Sequence, residues 1–206
     1  MIKKDLKSKM INTKKVSNKK FAIWNIFYKD FWSVRNILIA VVCSALAIDI
    51  MTKQFIIYLG YGDFFRLAFD ETFKHSGIIF GRITNFFNLV LVYNKGISFS
   101  MLTSDAAAMR WILSAVAMLI VIFILQTIAD EKKLSHKIAL SFVIAGALGN
   151  IFDRLRFGAV VDFLDFHLYG YHWPAFNFAD IYISCGVGIF VILKLIEWKN
   201  TRRNLK

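Results

Sequence analysis

The sequence predicts an all-α membrane protein with four transmembrane helices and a small β-sheet outside the membrane. The chain has 206 residues, of which 57% are hydrophobic, with a mean hydropathy of +0.54 and a single proline. Soluble domains do not usually combine these values. Four apolar stretches each reach about 20 residues, the length at which a helix crosses the hydrocarbon core of a bilayer.

The predicted helices follow one another with short connections, except for one long external segment. They run from about Asn36 to Leu59, Met109 to Ile128, Ser135 to Phe157 and Phe178 to Trp198. Four crossings place both termini on the same side of the membrane. The segment from residue 60 to 108 and the loop that holds Asp162 then lie on the opposite side.

The positive charge of the chain predicts its orientation. The formal net charge is +12, and basic residues crowd the segments 1–20, 129–137 and 199–206, which flank apolar stretches. The positive-inside rule places these segments in the cytoplasm. Because the basic residues do not line a helix face or a recognition motif, we expect contact with anionic membrane lipid and no nucleic-acid partner.

Two further segments carry secondary-structure signals outside the four helices. In "FAIWNIFYKDFW" (residues 21–32) aromatic residues recur at helical spacing beside lysine, which predicts a helix lying in the cytoplasmic membrane interface. In "FFNLVLVYNKGISFSML" (residues 86–102) two β runs flank a turn at Asn94, Lys95 and Gly96. We therefore divide the chain into a basic cytoplasmic extension (1–35), a four-helix membrane domain (36–198) and a basic cytoplasmic tail (199–206).

Polar residues interrupt the helices near their predicted outer ends, where ionisable groups are costly and indicate function. Each set lies on one helical face at a spacing of three or four residues. A compact arrangement would bring these sets to one depth and form one site. The residues are Asp49 and Lys53 in the first helix, Asn150, Asp153 and Arg154 in the third, and Asn177 and Asp180 at the start of the fourth.

The residue types at this site favour carboxylate chemistry. Cys43 and Cys185 have no histidine near their predicted depth, which disfavours a covalent nucleophile. His167 and His172 lack the spacing of metal ligands, so we expect neither a metal nor another cofactor. Two carboxyl groups that share one proton can activate water and polarise an amide carbonyl.

We assign this pair to Asp162, in the strand-like "VVDF", and Asp180, at the start of the fourth helix. The helix dipole favours the charged form of Asp180, so we expect the shared proton to lie mainly on Asp162. Asp153 is expected to pair with the neighbouring Arg154 and Arg156, and Asp165 to face the solvent.

Five motifs together resemble those of bacterial lipoprotein signal peptidase, also called signal peptidase II. They are "DIMTK" (49–53), "YNKGISFS" (93–100), "GNIFDR" (149–154), "VVDF" (160–163) and "WPAFNFAD" (173–180), and the resemblance covers residues 36–198. The chain departs from the family pattern at Ile50, Ile97 and Ser98, in the longer segment before Asn94 and in its basic N-terminal extension.

The resemblance implies a membrane aspartic endopeptidase with an external β-cradle, which cuts prolipoproteins before their diacylglyceryl-modified cysteine. Its catalytic pair falls on Asp162 and Asp180. Supporting or substrate-binding positions fall on Asn94, Asn150, Arg154, Asn177, Asp49 and Lys53. The implied location is the bacterial inner membrane, with the active site near the extracytoplasmic face, membrane lipids around the protein and a monomeric state.

The polar residues also permit an alternative from another functional class. A small transporter or proton-coupled carrier would use intramembrane Asp, Lys and Arg as an ion relay. A relay usually places its charges near the middle of the membrane, whereas these residues lie near one end of their helices. The sequence therefore favours the peptidase.

Overall fold

The computed structural model describes residues 33–61, 78–96 and 106–204. Each of its four long helices is long and apolar enough to cross a membrane, which confirms the four predicted spans. They are α1 (Ser33–Tyr61), α2 (Ala106–Asp130), α3 (Leu134–Phe157) and α4 (Phe178–Arg203). The predicted interfacial segment at residues 21–32 lies outside the described residues.

Helix α3 is the most buried of the four because it packs against both α2 and α4. Two glycines allow the close approach to α4. A Cβ atom on Gly146 would collide with the backbone carbonyl of Ala179, and one on Gly186 would meet the carbonyl of Ala139 at 2.6 Å. By contrast, α2 exposes apolar side chains such as Leu119 and Phe123, as a lipid-facing helix does.

An antiparallel sheet accompanies the helices, with the strand order β1-β2-β3-β4. The strands are β1 (Ile78–Thr84), β2 (Phe87–Asn94), β3 (Val160–Leu168) and β4 (Tyr171–His172). The first predicted β run is confirmed as β2 and "VVDF" opens β3, whereas β1 and β4 were not predicted. The second predicted β run, after Gly96, lies outside the described residues.

Helix α3 leads directly into β3, and this junction positions the site. Gly158 ends the helix in the left-handed region (φ 71°), where glycine carries no Cβ penalty, and its N–H donates to the carbonyl of Arg154. Beyond the cap, Val161 and Phe163 enter an apolar core with Leu91 of β2 and Ile57 of α1. Because successive side chains of a strand point to opposite faces, Asp162, which lies between these two residues, is directed away from this core.

Candidate active site

Asp162 lies in β3 and is almost fully buried, with 2% of its surface exposed. Both carboxyl oxygens accept hydrogen bonds from side-chain amides. Asn177 Nδ2 donates to Oδ1 at 2.7 Å, and Asn94 Nδ2 donates to Oδ2 at 2.9 Å. Asn94 reaches this position because β2 ends beside the start of β3, where Asn94 pairs with Val160.

Asp180 lies in the first turn of α4, where it forms a capping box with the N-cap residue Asn177. The Asn177 side chain accepts from the Asp180 N–H at 3.1 Å, and Asp180 Oδ2 accepts from the Asn177 N–H at 3.2 Å. These bonds satisfy backbone donors that the helix leaves unpaired. They also hold Asp180 beside the same amide that contacts Asp162.

Backbone N–H groups fix the orientation of the two amides that contact Asp162. Asn177 Oδ1 must accept from the Asp180 N–H, so its NH₂ group faces Asp162. Asn94 Oδ1 likewise accepts from the Gly96 N–H at 2.8 Å, so its NH₂ group also faces Asp162. Flipping either amide would bring two acceptors, or two donors, together.

A third amide, Asn150 of α3, connects the carboxylates to a buried cation. Asn150 Nδ2 donates to Asp180 Oδ1 at 2.9 Å, and its Oδ1 accepts from Asn177 Nδ2 at 3.3 Å. The same Oδ1 accepts from Lys53 Nζ at 3.4 Å. Lys53 has donors only, so it fixes the orientation of Asn150 as well.

Lys53 forms two buried ion pairs, one within α1 and one that links α1 to α3. Its Nζ lies 2.8 Å from Asp49 Oδ2 and 2.9 Å from Asp153 Oδ2. Asp49 and Lys53, which the sequence places on one helical face, are therefore in direct contact. Asp153 also accepts from the Val161 N–H at 3.0 Å, and Asp49 accepts from the Ala179 N–H at 2.9 Å. These bonds hold the residues that immediately precede Asp162 and Asp180.

The surroundings of Asp162 raise the pKa of its carboxyl group. Burial raises the pKa of Asp162 to about 7, and the negative charge of Asp180 adds to this effect. The hydrogen bonds from Asn94 and Asn177 and the charge of Lys53 oppose it. At neutral pH Asp162 can therefore hold or release a proton, as a general acid or base requires.

Arg154 approaches the same site from α3. Its guanidinium donates to the Asn150 carbonyl at 3.3 Å, and its charge interacts with Asp180 and Asp162. All eight predicted site residues thus belong to one connected network, as the predicted convergence requires. The roles assigned to them remain predictions.

Two expectations about neighbouring acids need correction. Asp165 was expected to face solvent, but it is buried, with 7% of its surface exposed, and accepts from Asn88 Nδ2 at 2.8 Å. Asp153 was expected to pair with the adjacent arginines, but it pairs with Lys53 of α1, which is distant in sequence. Arg156 instead donates to Gln54 of α1. Both differences arise from contacts between segments far apart in sequence.

Among the described residues, no three His, Cys, Asp or Glu side chains are grouped closely enough to hold a metal ion. Cys43 and Cys185 are unpaired thiols with exposed surfaces. The chemical groups gathered around Asp162 and Asp180 are amides, a lysine and an arginine. Such a set can orient two carboxyl groups and stabilise one negative charge between them.

Comparisons with known proteins relate the chain to one family. The sequence pattern of the family described as signal peptidase (SPase) II matches residues 39–196. A lipoprotein signal peptidase of Ralstonia nicotianae is 47% identical over 125 residues, which are 59% of this chain and 69% of the relative. One from Paraburkholderia phytofirmans is 39% identical over 140 residues, 66% of this chain and 79% of the relative.

Solved structures show the same fold. A bacterial membrane enzyme determined at 2.3 Å resolution by the in meso method has a TM-score of 0.62 and 25% identity, covering 80% of this chain and 91% of its own. A second, at 1.9 Å resolution, has a TM-score of 0.62 and 27% identity, covering 78% and 93%.

Proposed function

The chain belongs to the signal peptidase II family, and we propose that it is an aspartic endopeptidase whose catalytic residues are Asp162 and Asp180. As a member of that family it removes signal peptides from prolipoproteins. The proposed cleavage point is the peptide bond before the diacylglyceryl-modified cysteine. The alternative of a proton-coupled carrier is not favoured by the family match.

The observation that carries the aspartic mechanism is the contact of one residue, Asn177, with both carboxyl groups. Asn177 donates to Asp162 through its side chain and forms the capping box with Asp180. The raised pKa of Asp162 supports one proton shared by the pair, held mainly on Asp162. The position of Asp180 at a helix N-terminus supports its ionised form.

In the proposed reaction, Asp180 removes a proton from water as the water oxygen bonds to the scissile carbonyl carbon. Asp162 gives its proton to the carbonyl oxygen, which forms a neutral tetrahedral diol. When the C–N bond breaks, the leaving nitrogen takes the proton from Asp180, and a diol hydroxyl returns a proton to Asp162. The amide donors of Asn94, Asn150 and Asn177 hold the two carboxyl groups in position throughout.

Arg154 completes the proposed site as a substrate-binding group. It is half-buried and its charge faces the region of both carboxyl groups. The guanidinium carries five N–H donors, and one of its nitrogens donates to the Asn150 carbonyl. The remaining donors suit the carbonyl oxygens of an extended peptide or the ester oxygens of the diacylglyceryl group.

Location and topology belong to the same proposal. By the positive-inside rule, the basic segments support a cytoplasmic location for both termini and a location for Asn94 on the outer side of the inner membrane. Lipid anchoring of the substrate adds apolar binding of about 0.8 kcal/mol per buried methylene. We propose that the protein acts as a monomer surrounded by membrane lipids. Cysteine labelling from either side tests the orientation, and an external C-terminal tag would contradict it.

The experiment that tests the function is a cleavage assay with the purified protein in detergent. A diacylglyceryl-modified prolipoprotein should be cut to the mature form, whereas the same precursor without its lipid should be cut far more slowly. Equal cleavage of both precursors would contradict the proposed lipid dependence. Absence of cleavage of either would contradict the function itself.

A further inference from the structure

A row of polar side chains lies on one face of the sheet, outside the network around Asp162 and Asp180. Asp165 of β3 accepts from Asn88 of β2 at 2.8 Å, and both of its carboxyl oxygens lie 2.9 Å from His172 Nδ1 of β4. His167 Nε2 lies 3.3 Å from Asn88 Oδ1, and the two imidazole rings stack with centroids 4.9 Å apart. The row therefore connects three adjacent strands.

The hydrogen-bond partners define which atoms donate. His172 Nδ1 faces a carboxylate and must carry a proton, so it donates to Asp165. The Asn88 amide donates to Asp165, so its oxygen faces His167, whose Nε2 must donate. Burial raises the pKa of Asp165, but the hydrogen bonds from His172 and Asn88 lower it, and the pKa lies below its usual value. Asp165 is thus an ionised acceptor for β2 and β4.

The hydrogen bond between Asp165 and His172 joins β3 to β4, on either side of the turn that connects these strands. After this turn the chain continues to Asn177. Tyr169 and Gly170 form a two-residue turn, both with positive φ, and His167 pairs with His172 across the two strands. The chain then runs back along β3. The Trp173 N–H donates to the Phe166 carbonyl at 2.8 Å, and Phe176 exchanges backbone hydrogen bonds with Leu164 at 2.9 and 3.1 Å.

The register of this returning segment decides where Asn177 lies. His167 pairs with His172, and in the same register Leu164 would pair with the residue before Phe176. Leu164 instead pairs with Phe176, so the returning segment contains one extra residue near Pro174. Asn177 follows Phe176 directly and donates to Asp162. A slip of one residue would move Asn177 by about 3.3 Å and reverse its face, which separates it from Asp162.

An aromatic contact on the opposite face supports the segment without fixing its register. Phe166 stacks on Phe176 with ring centroids 5.8 Å apart and also packs against Phe87 at 4.9 Å. Stacked rings tolerate sliding because their attraction is spread over a surface. The hydrogen bond from His172 to Asp165 is directional, so it discriminates between registers.

We infer that Asp165 and His172 are positioning residues, which fix the register of the segment from Tyr171 to Phe176 and thereby hold Asn177 against Asp162. The inference rests on the proposed function, because it concerns the geometry of the proposed catalytic pair. His172 does not itself contact Asp162 in this arrangement. Its effect on cleavage passes through Asn177.

The test compares two substitutions of His172 in the full-length protein. His172→Phe keeps a ring to stack on His167 but removes the donor, whereas His172→Asn keeps a donor near the position of Nδ1. Loss of a hydrogen bond to a charged group corresponds to about tenfold in an equilibrium constant. We therefore expect His172→Phe to lower kcat between about threefold and tenfold with KM nearly unchanged, and His172→Asn to restore most of kcat.

A second readout does not depend on catalysis. Amide hydrogen exchange of peptides covering residues 171–180 should become faster in His172→Phe and remain near wild type in His172→Asn. Tyr171→Phe, an exposed change in the same strand, should alter neither kcat nor exchange. Asp165→Asn should reproduce the effects of His172→Phe. In either orientation of the new amide, its NH₂ group would lie against His172 Nδ1, which is also a donor.

The outcomes separate this inference from the proposed function. Wild-type kcat and exchange in His172→Phe would overturn it, as would a loss confined to KM or a loss that His172→Asn does not repair. If the protein cleaved no prolipoprotein at all, the exchange data would still decide whether His172 fixes the register. Activity in Asp162→Asn would refute the catalytic pair whatever the result at His172.

Discussion

Replacing Lys53 by methionine removes the only cation within ion-pair distance of Asp49 and Asp153 among the described residues. Lys53 is 2% exposed and lies 2.8 and 2.9 Å from the two carboxylates, which are equally buried. Methionine keeps most of the side-chain volume, so packing changes little. Breaking a buried ion pair by removing one partner costs about 3–5 kcal/mol, because the remaining charge is left uncompensated.

We therefore expect Lys53→Met to lower the free energy of unfolding by about 3–5 kcal/mol. The measurement is reversible unfolding in mixed micelles, followed by circular dichroism. The matched control adds Asp49→Asn and Asp153→Asn to the methionine variant. Asparagine oxygens can still accept from Ala179 and Val161, so this triple variant should recover most of the lost stability.

The stabilities of the single and triple variants decide the matter together. A Lys53→Met protein within about 1 kcal/mol of wild type would refute the claim that the lysine compensates two buried charges. A triple variant less stable than Lys53→Met would show that the carboxylates stabilise the fold for another reason.

Three further predictions concern pH, packing and the N-terminal extension. Since the pKa of Asp162 is about 7 and the pair needs one proton, kcat/KM should fall by about tenfold per pH unit above that value. Asn94→Ala removes a hydrogen bond that lowers this pKa, so the fall should begin at higher pH; an unchanged midpoint would contradict the assignment. Gly149→Ala should destabilise the protein by about 1–3 kcal/mol, because its Cβ would collide with Asp49 Oδ2, whereas Gly188→Ala, with open space around it, should not; equal stabilities would contradict the packing. Removing residues 1–20 should leave cleavage in detergent largely intact, because no motif residue lies there; a correctly inserted but inactive truncation would contradict this.

The helices could be predicted from the sequence because their signal is local. A run of apolar residues long enough to span the bilayer defines a helix without knowledge of its neighbours. The structure extends the predicted first helix from 36–59 to Ser33–Tyr61 and the fourth from Trp198 to Arg203. The residues at which a helix begins and ends depend on capping and on solvent contact, and the length of an apolar run does not determine them.

Contacts between distant segments could not be predicted in the same way. The motif residues Asp162 and Asp180 were identified by type and family resemblance, but their connection through Asn177 depends on the register of a returning strand. Asp165 was assigned to the surface because the two-residue strand β4 gave no periodic signal. The partner of Asp153 was missed because Lys53 lies a hundred residues earlier in the chain, on another helix.

The most direct test of the central claim is cleavage of a diacylglyceryl-modified prolipoprotein by Asp162→Asn and Asp180→Asn. Asparagine preserves the size of the side chain but removes the titrating group, so each variant should insert into the membrane and should show no cleavage. Circular dichroism of each purified variant checks that it has folded. Asp130→Asn, an exposed acid at the end of α2, should cleave normally, and a chelator should leave wild-type activity unchanged. Normal turnover by either Asp162→Asn or Asp180→Asn would contradict the aspartic mechanism.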